Sequence, residues 1–317
     1  YATALRAAGH EPILIHQVRR RRSSDEYRFA LALPGLLRGV AADVAHASTP
    51  VVANRLAWLG HPYVYTSHSR HWFTLHGPTQ RWGFFLERRA VARSQATVAL
   101  TEEIDARMRG RLGPRMPQRH PVIPIGVDAE RFRPDWSARS GTRALGVGIV
   151  TPVKRWELAA RALRGSGLSL RIAGPLPDPV YARSVIGSGD GVVLLGELSD
   201  AALAEEYALA DVLVHPSSAE ILSGAVLQGL SAGLPVLGAA PVAPLVPEGR
   251  AGWCAGPGRS PSEIEELLRS RARELVGDAG MRRRMGDAAR EWALARFSWP
   301  RVVAQHIALY EATRSAA

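Results

Sequence analysis

Apolar residues along this chain gather in short runs separated by stretches of helical period, a rhythm that predicts strands alternating with helices. Ala2, Leu5 and Ala8 stand at helical spacing and the segment stops at Gly9, after which Ile13, Leu14 and Ile15 read as a strand. Further strands are predicted at 44–47, 63–66 and 96–100, with helix between them, as over 80–93. Such runs, buried on both faces, build parallel sheets covered by helices. The stretch 121–134, punctuated by Pro121, Pro124 and Pro134, lacks a helical period and reads as a connection. The rhythm then restarts, and 145–150, 170–173, 192–195, 212–215 and 235–237 predict a second, five-stranded sheet. Residues 281–313 read as helical except at 297–300, where Pro300 fits the first turn of a helix starting at Ser298 or Trp299. The expected fold is therefore α/β in two domains. The N-terminal one spans 1–134, with the helix 299–317 packing back on it, and the C-terminal one spans 135–298. Open α/β sheets bind ligands beyond the carboxyl ends of their strands, so the active site is expected in a cleft between the two.

Composition narrows the class. With 317 residues, 46% of them hydrophobic and 22% charged, the chain can bury large cores, which excludes disorder and a disulfide-stapled mini-protein. No apolar run approaches the roughly 20 residues of a membrane span, and residues 1–10 lack the apolar stretch of a signal peptide. The single cysteine, Cys254, can form neither an intrachain disulfide nor a cysteine-cluster metal site, so a reducing, cytoplasmic setting is expected. Tyr1 falls inside a helical pattern, and residues ahead of it are expected. The 40 Lys and Arg against 29 Asp and Glu give a net charge of +11. That excess fits either a polyanionic partner or a generally arginine-rich surface. The arginines are spread along the chain without a nucleic-acid motif, so nucleic acid is not an expected partner, while a weak peripheral membrane contact stays open. Lys154 is the one lysine, which leaves 40 − 1 = 39 arginines and singles out position 154 as a place where an ammonium is wanted.

The most informative stretch is 215–238, HPSSAEILSGAVLQGLSAGLPVLG. A strand ending near Val214 leads through a polar turn with Glu220 into a helix opening near Ser223 and Gly224. Free N–H groups at a helix start, with the positive dipole end behind them, form a phosphate site. A carboxylate just ahead of those amides can accept hydrogen bonds from sugar hydroxyls beside the phosphate. The same pattern also occurs as an ordinary N-cap turn with a solvated glutamate.

Pro216, Ser217, Glu220, Gly224, Gly233 and Pro235 resemble the signature of the retaining glycosyltransferase family four, whose members have the GT-B fold of two facing Rossmann-like domains with a cleft between them. Other matches follow in order: 42–46 (ADVAH), 62–68 (PYVYTSH), 86–93 with 96–101, the linker-like 123–134 (IPIGVDAERFRP), 148–154, 172–174 and 210–212. The resemblance covers almost the whole chain. It implies a hexosyl-transferring, metal-independent enzyme that moves a sugar from a nucleoside-diphosphate donor to a small-molecule acceptor, of antibiotic or other specialised type, or to a lipid-linked one. The nucleotide sugar is a co-substrate and no cofactor or metal is expected. Carried over residue by residue, His68 and Glu220 are the catalytic candidates. Lys154, Arg155, Leu222, Ser223 and Gly224 are assigned to the diphosphate, and Gln228, Gly174 and Leu198 to the nucleoside. His46, Ser67, Arg70 and His71 fall on the acceptor side, with Trp82, Phe84 and Phe85 following as either acceptor pocket or core.

Two positions depart from the family pattern. Gln228 stands where a second glutamate is usual, and an amide can still accept from ribose hydroxyls. Ile149 stands where an arginine often flanks the diphosphate, and Arg155 is the expected compensation. The resemblance implies that the leaving phosphate oxygen takes the acceptor proton, so no protein base is required. A sugar-nucleotide epimerase on the same fold and a non-catalytic nucleotide-sugar binder remain open, as do UDP, GDP and ADP as nucleotides, the acceptor and the oligomeric state.

Overall fold

Both sheets of this protein are parallel throughout, as expected from runs that are apolar on both faces. The computed structural model describes residues 1–16, 24–68 and 77–315. It divides into two compact units, Tyr1–Gly126 with Trp299–Ala317, and Val127–Ser298, and the division falls within the proline-punctuated connection.

In the N-terminal unit, β1 (Ala45–Ala47), β2 (Tyr63–Ser67) and β3 (Ala96–Ala99) pair in the order β1-β2-β3. Every residue of β2 and β3 is buried, because helices cover both faces. The covering helices include α1 (Ala2–Ala7), α2 (Ser24–Leu36), α3 (Pro50–Trp58), α4 (Gly77–Arg93) and α5 (Glu102–Leu112). Two begin at threonine caps, Thr49 accepting from the Val52 amide at 3.5 Å and Thr101 from the Ile104 amide at 3.2 Å. The last helix of the chain, α12 (Trp299–Arg314), belongs to this unit. It inserts Val302 and Leu309 among Val64, Ala96, Val98 and Ile123. Residues 13–15 correct the sequence reading. They are not a strand: no described strand pairs with them, and without ladder hydrogen bonds Ile13 and Leu14 stay 56% and 60% exposed.

In the C-terminal unit, β4 (Arg143–Val147), β5 (Ser169–Ala173), β6 (Val193–Gly196), β7 (Val212–His215), β8 (Val236–Ala239) and β9 (Gly252–Ala255) form a six-stranded sheet ordered β6-β5-β4-β7-β8-β9. The sequence reading expects five strands; the sixth is β9, which escapes it because a strand opening on glycine carries weak β signal. Glycine is required there, since at Gly252 (φ 154°) a Cβ would lie 2.1 Å from the Val236 carbonyl oxygen. Helices α6 (Trp156–Leu163), α7 (Pro179–Gly187), α8 (Asp200–Leu209), α9 (Gly224–Ser231), α10 (Pro261–Gly277) and α11 (Ala279–Phe297) complete the unit. Its core joins Trp156, Leu158, Ile172, Val214, Leu237 and Leu268. From β4 the chain winds outward one way through β5 and β6, and from β7 the other way through β8 and β9. That reversal makes the carboxyl ends of β4 and β7 the topological switch point, where such sheets bind ligands.

Candidate active site

β4 and β7 pair in parallel through Ala144 with Val212 and Leu145 with Leu213, so the loops leaving their carboxyl ends emerge side by side. Those loops, 148–155 and 216–223, are fastened together. The Ser218 amide and hydroxyl donate to the Val153 carbonyl at 2.8 and 2.9 Å. Arg155 reaches back from the first loop, its Nε donating to the Pro216 carbonyl at 2.7 Å and its Nη2 to that of Ser217 at 3.2 Å. Arg155 is the one non-glycine residue with positive φ, 53°, among those described. That conformation costs about 1 kcal/mol or more and persists because the two carbonyls hold its guanidinium. Arg155, expected on a diphosphate, is thus spent on bracing the loop that carries Glu220.

Lys154 ends a short 3-10 turn, Pro152–Lys154, and its Nζ donates to Oε1 of Glu220 at 2.5 Å. The same oxygen receives Nε2 of His215, the last residue of β7, at 2.8 Å. A carboxylate only accepts, so this bond places the imidazole proton on Nε2. Nδ1 of His215 is buried without a partner. Ser223 Oγ lies 3.3 Å from His215 Nε2, and the ring meets Trp156 edge-on at 6.1 Å. All three side chains are largely sheltered, with 17%, 12% and 0% exposure for Lys154, Glu220 and His215. Burial raises the Glu220 pKa, yet the hydrogen bonds from His215 and Lys154, together with their charge, outweigh it and hold the carboxyl at about 2. Glu220 is therefore ionised throughout the physiological range. Both donors share Oε1, which leaves Oε2 as the oxygen that can accept from a ligand.

The loop ends at α9, whose N-cap Ser223 accepts from the Val226 amide at 3.4 Å. Leu222 and Gly224 flank that cap, at the helix end where amides and dipole favour an anion. Gln228 lies one turn on, and its side-chain oxygen accepts from the buried Tyr207 hydroxyl at 3.0 Å. Gly174, after β5, is packed so closely that a Cβ would fall 2.2 Å from the Gly148 carbonyl oxygen, and its amide donates to the Gly196 carbonyl at 2.7 Å. Leu198 follows β6 and is half-buried. The structure thus brings Lys154, Glu220 and the α9 start together, with Ile149 beside them as an exposed apolar residue. Sequence reasoning assigns no role to His215; a histidine ending a buried strand five residues before a loop carboxylate is the signal that could have found it.

The N-terminal unit holds a cavity of about 840 Å³, within the range of small-ligand sites. His46, Thr66, His68, Trp299, His306 and Tyr310 are among its walls. His46 links two of its sides: Nδ1 meets the Tyr310 hydroxyl at 2.5 Å and Nε2 the Thr66 hydroxyl at 2.7 Å. The Tyr310 hydroxyl also meets that of Tyr1 at 2.5 Å. Burial first, and then the charge that His306 and His68 would carry, pushes His46 down to about 3. Burial likewise lowers His306 and raises Tyr310, so this wall stays neutral. Three further acceptor-side residues are expected from the sequence, Ser67, Arg70 and His71. Ser67 does not line the cavity: as the neighbour of Thr66 on β2 it points to the other face, where its hydroxyl donates to the fully buried Glu87 at 2.6 Å. Arg70 and His71 lie outside the described residues. Tyr310 and His306, which arrive from α12 far along the chain, were not legible as cavity residues.

Among the described residues, no group of three or more His, Cys, Asp or Glu could hold a metal ion, and no helix is long and apolar enough to cross a membrane. Comparison with known proteins gives the architecture its class. Sucrose-phosphate synthase from Thermosynechococcus elongatus superposes with a TM-score of 0.82 at 18% identity, covering 100% of this chain and 92% of that one. Anabaena HepE, solved in complex with UDP and glucose, superposes at 0.75 and 18% identity over 98% and 89%. The fold is GT-B. Residues 1–131 match Glycosyltransferase Family 4 and residues 148–272 match Glycosyl transferases group 1. A GDP-mannose-dependent alpha-mannosyltransferase of Mycolicibacterium smegmatis is 29% identical over 96% of this chain and 84% of its own length. Other curated relatives match over only about half of their length or less. The chain belongs to glycosyltransferase family four and is a glycosyltransferase.

Proposed function

We propose that this enzyme transfers a sugar, with retention at the anomeric carbon and without a metal, from a nucleoside-diphosphate donor to a small or lipid-linked acceptor. The observation that carries the reading is the meeting of Lys154, Glu220 and His215 beside the start of α9 at the switch point of the C-terminal sheet. Breaking a sugar–phosphate bond leaves a nucleoside diphosphate with added negative charge. The Lys154 ammonium and the amides at 222–224 are fixed groups that stabilise such charge as it develops. Glu220, ionised and tethered through Oε1, accepts from a donor-sugar hydroxyl through Oε2. Gln228 faces the nucleoside with its amide, and the N-terminal cavity, neutral along His46, His306 and Tyr310, receives the acceptor, with His68 at its rim. The acceptor proton passes to the leaving phosphate oxygen as the new glycosidic bond forms.

Two relatives bear on the nucleotide: the mycobacterial protein is GDP-mannose-dependent by name, and the HepE crystal holds UDP. GDP is the first choice because the sequence relative spans nearly the whole chain. Thermal unfolding against GDP, UDP, ADP, TDP and CDP tests this. A nucleotide at 100 times its Kd stabilises by about 2.7 kcal/mol. A shift with GDP that disappears in Lys154→Ala supports the assignment; no shift with any nucleotide overturns it. Turnover unchanged by EDTA is the expected result for the metal-independent half of the reading.

A further inference from the structure

The exposed large aromatics of the described residues are Tyr1, Tyr27, Trp58, Trp82 and Phe85, all in the N-terminal unit, whereas the exposed large apolar residues of the C-terminal unit are aliphatic. Four of the five sit on α2, α3 and α4, of which α3 packs against both others. Tyr27, Trp82 and Phe85 form one cluster. Trp82 donates through Nε1 to the Tyr27 hydroxyl at 3.1 Å and stacks on Phe85 with ring centroids 5.3 Å apart, although Trp82 is 53% exposed and Phe85 45%. Pro78 and Arg81 border the same shallow groove. Arg89 covers Phe85 at 5.6 Å, and on α3 Arg55 covers Trp58, the most exposed of the set at 71%, at 4.2 Å.

The charge on this face is predominantly positive, α2 contributing Asp25 and Glu26 beside Arg28. Helices α3 and α4 carry Arg55, Arg81, Arg88, Arg89 and Arg93 against a single carboxylate, Glu87, which is fully buried and accepts from the Tyr65 and Ser67 hydroxyls. Tryptophan and tyrosine settle at the boundary between hydrocarbon and water, where one end of the ring system is apolar and the other wet. Arginine lays its stem on the apolar layer and keeps its guanidinium at the headgroups, and each basic residue near an anionic surface adds attraction. We propose that the α2–α4 face is a docking surface for an anionic lipid bilayer, onto which the protein settles peripherally through Trp82, Phe85 and Trp58 with the arginines around them. This deepens the acceptor half of the proposed function, on which it rests for its purpose: a surface-bound enzyme reaches an acceptor that is itself anchored in lipid.

Vesicle co-sedimentation of the whole chain, with phosphatidylcholine alone and with 30% phosphatidylglycerol, tests it at low and at physiological salt. Binding to the anionic vesicles only, weakening as salt rises, is expected. The double substitution Trp82→Ala with Phe85→Ala, and separately Arg81→Gln with Arg89→Gln, should each weaken partition roughly tenfold or more. The second pair lies on exposed side chains and keeps the test alive if the first pair does not fold. The GDP thermal shift is measured on every variant and should be unchanged, which separates loss of docking from failure of the donor reading. No binding by the unaltered chain, equal binding to neutral vesicles, or full binding by both pairs of variants overturns the proposal. Self-association abolished by either pair without vesicle binding also overturns it, in favour of a contact between copies.

Discussion

In the C-terminal unit Lys154 and His215 both donate to the ionised carboxylate of Glu220, whereas His46, Thr66 and Tyr310 in the N-terminal unit are joined by hydrogen bonds between neutral groups. The first arrangement is built from two short loops fastened at the ends of adjacent strands, with every participant close to the carboxyl end of a central strand. The second gathers residues from β1, β2 and a helix more than two hundred positions later. A charged cluster stabilises developing charge and loses that capacity when one member is removed. A neutral one shapes a cavity and loses mainly packing and a hydrogen bond. The C-terminal cluster should therefore dominate catalysis, and the N-terminal one should dominate selectivity and the pH dependence of stability.

The largest effect is expected at the charged cluster. Lys154→Ala and Glu220→Gln should each lower kcat/KM roughly 10²–10³-fold, the range for removing one preorganised group that stabilises transition-state charge. Steady-state kinetics with the donor found by thermal shift checks this. Full activity in both variants would place the chemistry elsewhere and dissolve the contrast between the units. His215→Ala comes next. It removes a buried donor to an ionised oxygen, so a loss of about 10–100-fold is expected, with the donor KM rising and His215→Asn recovering part of it. Recovery by asparagine marks His215 as a residue that positions Glu220, because a purely structural histidine would show its loss in thermal stability instead.

The two regions were not equally legible in the sequence. The loop of Glu220 and the helix start at Gly224 lie within one stretch of chain, and Lys154 stands out as the one lysine, so a linear reading reaches them. His215 was visible but mute, because a strand-end histidine acquires a role only when the loop folds its carboxylate back onto it. Arg155 misled in the opposite direction: the sequence shows a cation beside Lys154, and only the fold shows two backbone carbonyls occupying it. In the N-terminal unit the strands were legible, but a parallel sheet hides which strand is at its edge. The run at 13–15 has the apolar residues of a strand and no described partner to complete a ladder. Ser67 was misassigned for a smaller reason, the alternation of side chains along β2, which one residue of offset reverses.

Acid should separate the regions in order. The pKa values of His46 and His306 in the folded protein lie below the ordinary histidine value of 6.5, so the unfolded chain binds protons that the folded cavity refuses. Stability is then complete above about pH 6.5 and declines as pH falls below it. Glu220, held at about 2 against an ordinary 4.5, contributes stability above about pH 4.5 that is lost only as pH falls toward 2. Thermal unfolding between pH 8 and pH 3 should show the first decline beginning near 6.5, shallower in His46→Asn, and a second below 4.5 that is shallower in Glu220→Gln. A single decline starting only below 4.5 would remove the neutral cavity as the acid-sensitive element.

The smallest effect is expected from Tyr310→Phe. The substitution removes the hydroxyl that joins Tyr1 and His46 and keeps the ring that packs between His46 and His306, at centroid distances of 5.6 and 6.0 Å. A neutral hydrogen bond contributes about 1 kcal/mol net, so a loss of that order in chemical denaturation is expected, with donor binding unchanged. The acceptor KM is where the change should be felt, because the lost hydroxyl lies on the cavity wall. An altered donor KM with an unaltered acceptor KM would reverse the division of labour drawn between the neutral cavity and the charged loops.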